Sequence, residues 1–175
     1  MKANNEIMAL LGRFQAGYVE RDLSKLDEFM SLFAPDQMAE MIGIGVFERF
    51  QGQEQIREMI ESDWKYWGDV IFELDTVRIK IHGEVAWVTM RGALVQTTTH
   101  ETAMPFYLQQ MKDLLDDETV DIDSRIVEAS HFGIRRWRER TLGMGHRWPF
   151  LFTTILVNHS GGWKFHLVQW AMPVD

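Results

Sequence analysis

Apolar positions in the first third of the chain recur at helical spacing. From Ile7 they fall at Leu10, Leu11, Phe14 and Tyr18, and the charged run Glu20, Arg21 and Asp22 closes the stretch, so a first helix is predicted over about 4–20. Asp22 or Ser24 can cap a second, shorter helix with Leu26, Phe29, Met30 and Phe33 facing inward, ended by Pro35, which disfavours helix at the residue before it. The glycine-spaced segment Met41 to Phe47 reads as a short strand or hairpin. After Gly52, Ile56, Met59, Ile60, Trp64 and Trp67 restore the helical period and predict a third helix up to Gly68. Beyond Gly68 the period falls to two. Val77, Ile79 and Ile81 alternate with Arg78 and Lys80, and His82-Gly83 turns the chain into a second strand from Val85 to Val95. Trp148 to Asn158 is a further strand, which turns at Ser160-Gly161-Gly162 and returns as Trp163 to Met172. Early helices followed by two hairpins predict an α+β domain with its helices against one face of an antiparallel sheet.

Residues from about Glu101 to Arg147 interrupt that scheme. Asp113, Asp116, Asp117, Glu118, Asp121 and Asp123 are followed by Arg135, Arg136, Arg138, Arg140 and Arg147, which reads as two charged surface helices inserted between strands. So long a connection inside a compact domain has secondary structure of its own or a function, and a lid or partner surface is the sharper expectation. At 175 residues the chain is predicted to be a single domain, 1–175, carrying this insert at about 101–147.

Composition narrows the function classes. The net charge of −8 argues against a nucleic-acid partner, which is bound through clustered Lys and Arg. The absence of Cys removes disulfides, thiolate nucleophiles and Cys-based zinc sites, and fits a cytoplasmic protein. No run of eighteen apolar residues is present, so no membrane span is expected. The six histidines form no i, i+4 pair and no His-x-His, and neither a metal nor any other cofactor is expected. Seven Trp and eleven Phe against three Tyr exceed what a small core needs and suggest a cavity lined by rings.

The order of certain segments resembles a known family. Phe14-Gln-Ala-Gly-Tyr-Val-Glu-Arg-Asp22-Leu-Ser-Lys-Leu26, then Leu32-Phe33-Ala-Pro-Asp36, then Phe50-Gln-Gly52-Gln-Glu-Gln-Ile56, with Gly162-Trp163-Lys-Phe-His166 at the end, resemble SnoaL-like proteins of the nuclear transport factor 2-like superfamily. The resemblance spans roughly 4–98 and 148–174 and leaves the insert unexplained. It implies a cone, in which a strongly curved antiparallel sheet wraps the N-terminal helices around a pocket, and a homodimer formed through the sheet. Isomerases, cyclases, dehydratases and hydrolases occur in the superfamily beside non-catalytic modules, so the fold alone does not set the function. Related ketosteroid isomerases carry a Tyr on the first helix where Phe14 stands here. Their carboxylate base falls at Glu40 or Met41. The His-x-Ser ending of many SnoaL-like proteins corresponds to Gln169, Trp170 and Ala171.

These readings give three expectations. The first is a pocket for a small apolar or aromatic molecule, lined by Phe14, Tyr18, Trp64, Trp67, Trp87, Phe152, Gln169 and Trp170, with Trp137 and Trp148 near its mouth. The second is an isomerase, cyclase or dehydratase with Glu40 as base and Tyr18 or His100 as polar partner, Asp63 and His166 being further titratable candidates. The third is a non-catalytic dimerisation or interaction module that uses the charged insert.

Overall fold

The computed structural model describes residues 2–35, 37, 39–44, 48–159 and 162–172. The residues 45–47 of the expected strand or hairpin, and Ser160 and Gly161 of the expected turn, lie outside them. The chain falls into two compact units, Met1–Val95 with Arg147–Asp175, and Gln96–His146.

In the first unit, helix α1 (Lys2–Glu20) buries Ile7, Leu10, Leu11, Phe14 and Tyr18, the face read from the apolar spacing. It ends at Arg21, whose φ of 48° closes the helix and whose guanidinium meets Asp69 at 3.1 Å. A single 3₁₀ turn, Leu23–Lys25, capped by Asp22, leads into α2 (Leu26–Met30), which is shorter than predicted. The chain leaves it early because Leu32 to Ala34 bond to the backbone of Phe165. Helix α3 (Gly52–Tyr66) follows strands β1 (Glu40–Ile42) and β2 (Arg49–Gln51).

The remaining strands are β3 (Asp69–Phe72), β4 (Arg78–His82), β5 (Val85–Val95), β6 (Arg147–His159) and β7 (Gly162–Ala171). Their order is β2-β1-β7-β6-β5-β3, with β4 also paired to β5. The hairpins β4–β5 and β6–β7 form as read, but β1 runs parallel to β7, so the sheet is mixed where an antiparallel one was expected. The cause is local. Phe33 already bridges Phe165 in parallel, and β1 continues along the same edge of β7. Strand β3 was not expected. Its edge is tied to α1 by the Phe72 N–H, which donates to Gln15 Oε1 at 2.6 Å.

Alternation puts Ala86, Val88 and Met90 of β5 and Phe150, Phe152 and Leu156 of β6 against the helices. On β7 the inward set changes parity, from Trp163 and Phe165 to Val168 and Trp170. The pairings Leu156–Phe165 and Ile155–Leu167 leave His166 as the extra residue of a β-bulge, which produces the change.

The second unit is a helical hairpin of α4 (His100–Asp116) and α5 (Ile122–Thr141), as the charged insert predicted. Thr99 and Asp121 cap the two helices through hydrogen bonds from the Thr102 and Ser124 N–H groups. At the open end Arg140 donates to Thr98 Oγ1 at 2.6 Å and to the buried Tyr107 hydroxyl at 2.5 Å, while Arg136 lies over the Tyr107 and Phe132 rings. Among the described residues no helix is long and apolar enough to cross a membrane.

Candidate functional site

Phe14, in the middle of α1, is fully buried and touches the rings of Tyr18, Phe29, Phe33, Phe72, Phe152, Phe165 and Trp170, with centroids 5.0–6.3 Å apart. The side chains expected to line an open cone therefore pack against one another. The interior around Phe14 is a core of rings at ordinary aromatic spacing.

One helical turn on, this core acquires polar groups. The Tyr18 hydroxyl donates to Asp63 Oδ2 at 3.0 Å, from α1 to α3. Five rings surround the Tyr18 ring: Phe14 at 5.1 Å, Phe29 at 5.9 Å, Trp170 at 6.0 Å, Trp67 at 6.3 Å and Trp64 at 6.4 Å. Burial, and next the negative charge of Asp63, hold the Tyr18 hydroxyl well above its ordinary pKa, so it is a neutral donor at any physiological pH. Two further polar atoms sit in the same cluster. The indole N–H groups of Trp64 and Trp170 are buried and meet no acceptor among the described residues.

Open space adjoins this arrangement. A cavity of about 200 Å³ has Gly17, Phe29, Leu32 and Trp64 among its lining and Arg13, Glu20, Asp22, Lys25 and Glu28 as charged neighbours. Gly17 permits the close approach of helices there: a methyl group at that position would stand 2.3 Å from Phe29 Cδ2 and 3.2 Å from Trp64 Cζ2. Phe29 and Trp64 are thus shared between the cavity and the ring cluster around Tyr18.

The expected site residues separate as follows. Phe14, Tyr18, Trp64, Trp67, Phe152 and Trp170 are buried in the first unit's core. Trp87 is 46% exposed on the outer face of β5, because its neighbours Ala86 and Val88 take the inward positions, and it lines no interior. Gln169 is likewise exposed, turned outward by the bulge at His166. Glu40 is a correction of the catalytic reading. Fully buried Met41 takes the inward position of β1, so Glu40 stands on the opposite face, where its carboxylate accepts from Arg49 Nη2 at 2.7 Å. His100 is the exposed first residue of α4, in the second unit. Asp63, weighed singly from the sequence, joins Tyr18. Its place one helical turn before Trp67 could not reveal that a helix 45 residues upstream would supply the hydroxyl. Among the described residues no three His, Asp or Glu side chains converge as metal ligands.

A curved mixed sheet packed on three N-terminal helices is the nuclear transport factor 2-like, or cystatin-like, fold. Solved structures share it at low identity. A candidate dehydratase of that family from Streptomyces avermitilis aligns with a TM-score of 0.63 at 11% identity, over 99% of this chain and 98% of its own. A nuclear transport factor 2-like protein of unknown function from Pseudomonas putida KT2440 gives 0.61 at 15%, over 99% and 89%. A cystatin-like protein of unknown function from Nostoc punctiforme PCC 73102 gives 0.60 at 13%, over 98% and 92%. No curated protein matches the chain. Residues 7–111 match the SnoaL-like domain, and the chain belongs to that family.

Proposed function

We propose that this SnoaL-like protein binds a small, single-ring molecule carrying an oxygen acceptor, at the cavity between α1, α2 and α3. The observation that carries the reading is the buried indole N–H of Trp64, a residue of the cavity lining, without an acceptor among the described residues, in the ring cluster that holds the Tyr18–Asp63 hydrogen bond. A buried donor without a partner costs about 1–3 kcal/mol, which a ligand oxygen recovers on binding. The size limit follows from the volume. A cavity of about 200 Å³ is near the roughly 150 Å³ that accommodates benzene in an engineered apolar cavity, and well below that of a drug-sized site. Acetophenone is the probe that tests this, with toluene as the ring without an acceptor. Acetophenone is expected to raise the melting temperature and toluene to do so less, and Trp64→Phe should remove the difference between them. If neither probe shifts the melting temperature nor alters tryptophan fluorescence at millimolar concentration, the reading fails.

We also propose assembly as a homodimer through the outer face of the sheet. That face carries the half-exposed Trp87 and Leu151, with the partly covered Ile155 paired to Trp87. Trp87→Glu places a charge there without touching the core. It is expected to halve the mass seen by sedimentation equilibrium, and an unchanged mass would rule this interface out.

A further inference from the structure

A second cavity of the first unit shares no described lining residue with the one beside Trp64. It measures about 660 Å³ and stands where α2 and the turn after it, the start of α3 and the β6–β7 hairpin meet. Hydrogen bonds tie its walls together. The Gln53 side chain of α3 donates to the Ala34 carbonyl at 3.0 Å, the Phe165 N–H of β7 donates to the Leu32 carbonyl at 2.9 Å, and the Lys164 ammonium donates to the Ser31 carbonyl. Buried Met30 and Phe33, with Pro35, form the apolar part of the lining.

The charges on these walls run against those of the chain, whose net charge is −8. Arg57 and Lys164 bring two cations and His159 a ring N–H, while Asp27 is the one carboxylate among the described lining residues. Local structure puts them there. Gln53 and Arg57 are four residues apart on α3, so the helical turn that anchors Gln53 sets the guanidinium on the same face. Lys164 lies between the buried Trp163 and Phe165, and alternation turns it away from the core. Glu61, one turn beyond Arg57, is held by Lys65.

Neither cation is used up by its present partner. Arg57 meets Asp27, whose side chain is 87% exposed, and an ion pair so open to water contributes little. A guanidinium has five N–H donors and an ammonium three, so one contact each leaves donors on both.

We propose that this cavity binds a carboxylate carried on an apolar body. Arg57 and Lys164 donate to the carboxylate oxygens with His159 at their edge, and Met30, Phe33 and Pro35 cover the body. A planar guanidinium matches two carboxylate oxygens as a fork, and such charge-assisted bonds are about twice as strong as neutral ones. The volume falls within the roughly 300–1,000 Å³ of small-molecule sites. Asp27 is then an internal competitor, which occupies Arg57 until the ligand displaces it.

2-Naphthoate tests the site against 2-naphthamide, which has the same rings without the charge. Two fused rings are chosen because the cavity beside Trp64 is sized for one. By calorimetric titration at low ionic strength, the naphthoate is expected to bind about tenfold more tightly than the amide, the difference between a charge-assisted and a neutral contact. Arg57→Met with Lys164→Met should abolish that preference, and Trp64→Phe should leave it unchanged. Asp27→Asn, an exposed substitution, should tighten naphthoate binding about threefold by freeing Arg57, and should leave the amide unaffected. Equal affinities for acid and amide overturn the proposal, as does a preference that survives the double methionine substitution or an absence of naphthoate binding at millimolar concentration. An Asp27→Asn variant that binds naphthoate no better than the parent also overturns it, a reading that holds even where the double variant does not fold.

Discussion

Phe14→Ala is expected to lower stability by about 4 kcal/mol, the middle of the range for removing a buried Phe. The ring is fully buried and meets seven others, contributed by α1, by α2 and the turn after it, and by β3, β6 and β7. No single neighbour can swing across to refill the space while keeping its own contacts, because interiors are already packed near crystal density. For a chain of this length the loss corresponds to a fall in melting temperature of about 8–16 °C. Urea denaturation should show the midpoint moving with little change in slope, as for a mutation that leaves the extent of unfolding unaltered. A loss below about 1 kcal/mol would mean that the ring cluster is loosely packed, and that the interior is closer to the open cone the family resemblance implied. Phe14→Tyr tests the same packing from the other side. A hydroxyl added among seven rings would need a partner, and its burial without one costs about 1–3 kcal/mol.

How much of this was legible in the chain follows from where the controlling interactions lie. The inward face of α1 and the extents of β5, β6 and β7 are local, set by a period of 3.6 or 2 and by turn residues, and they were read within a residue or two, while the insert was read from its charge runs as helical without the limits of its two helices. Strand β3 was missed because four residues, Asp69 to Phe72, are too few to show alternation, and because its bond to Gln15 comes from another element. The parallel pairing of β1 depends on Phe33 meeting Phe165, a contact across 132 residues that leaves no local mark. Glu40 shows the sensitivity of a strand to register. Either it or Met41 had to face inward, and the apolar side chain took the buried place. Gln169 and Trp170 show the same problem complicated by a bulge, which inverts the parity of β7 after His166 and is invisible to a count in twos. For the site, Tyr18, Asp63, Trp64 and Trp170 were all named from the sequence. Their convergence was not legible, because helix–helix and helix–sheet packing brings them together.

Asp63→Ala should destabilise the protein by about 1–3 kcal/mol, since it leaves the Tyr18 hydroxyl buried without its acceptor. Tyr18→Phe in that background should recover part of the loss, and the cycle formed by the two substitutions should give a coupling of about 0.5–3 kcal/mol. A purely additive result would show that the 3.0 Å contact contributes nothing. The pH dependence supplies an independent sign. Tyr18 holds its proton more tightly in the folded chain than the ordinary value near 10, so its contribution is complete below that pH and is lost as the pH climbs toward the folded value. Above about pH 10 the unfolded chain releases a proton that the folded one retains. Stability then falls by about 1.4 kcal/mol per pH unit from this group alone. Thermal unfolding between pH 8 and 12, with phenolate absorbance followed in parallel, should show that decline in the parent protein and less of it in Tyr18→Phe. Asp63→Asn separates the two causes. It keeps an acceptor for the hydroxyl but removes the charge, so the onset of phenolate formation should move down while burial still keeps it above 10. An unchanged onset would mean that burial alone governs Tyr18, and would remove Asp63 from the electrostatics of the site.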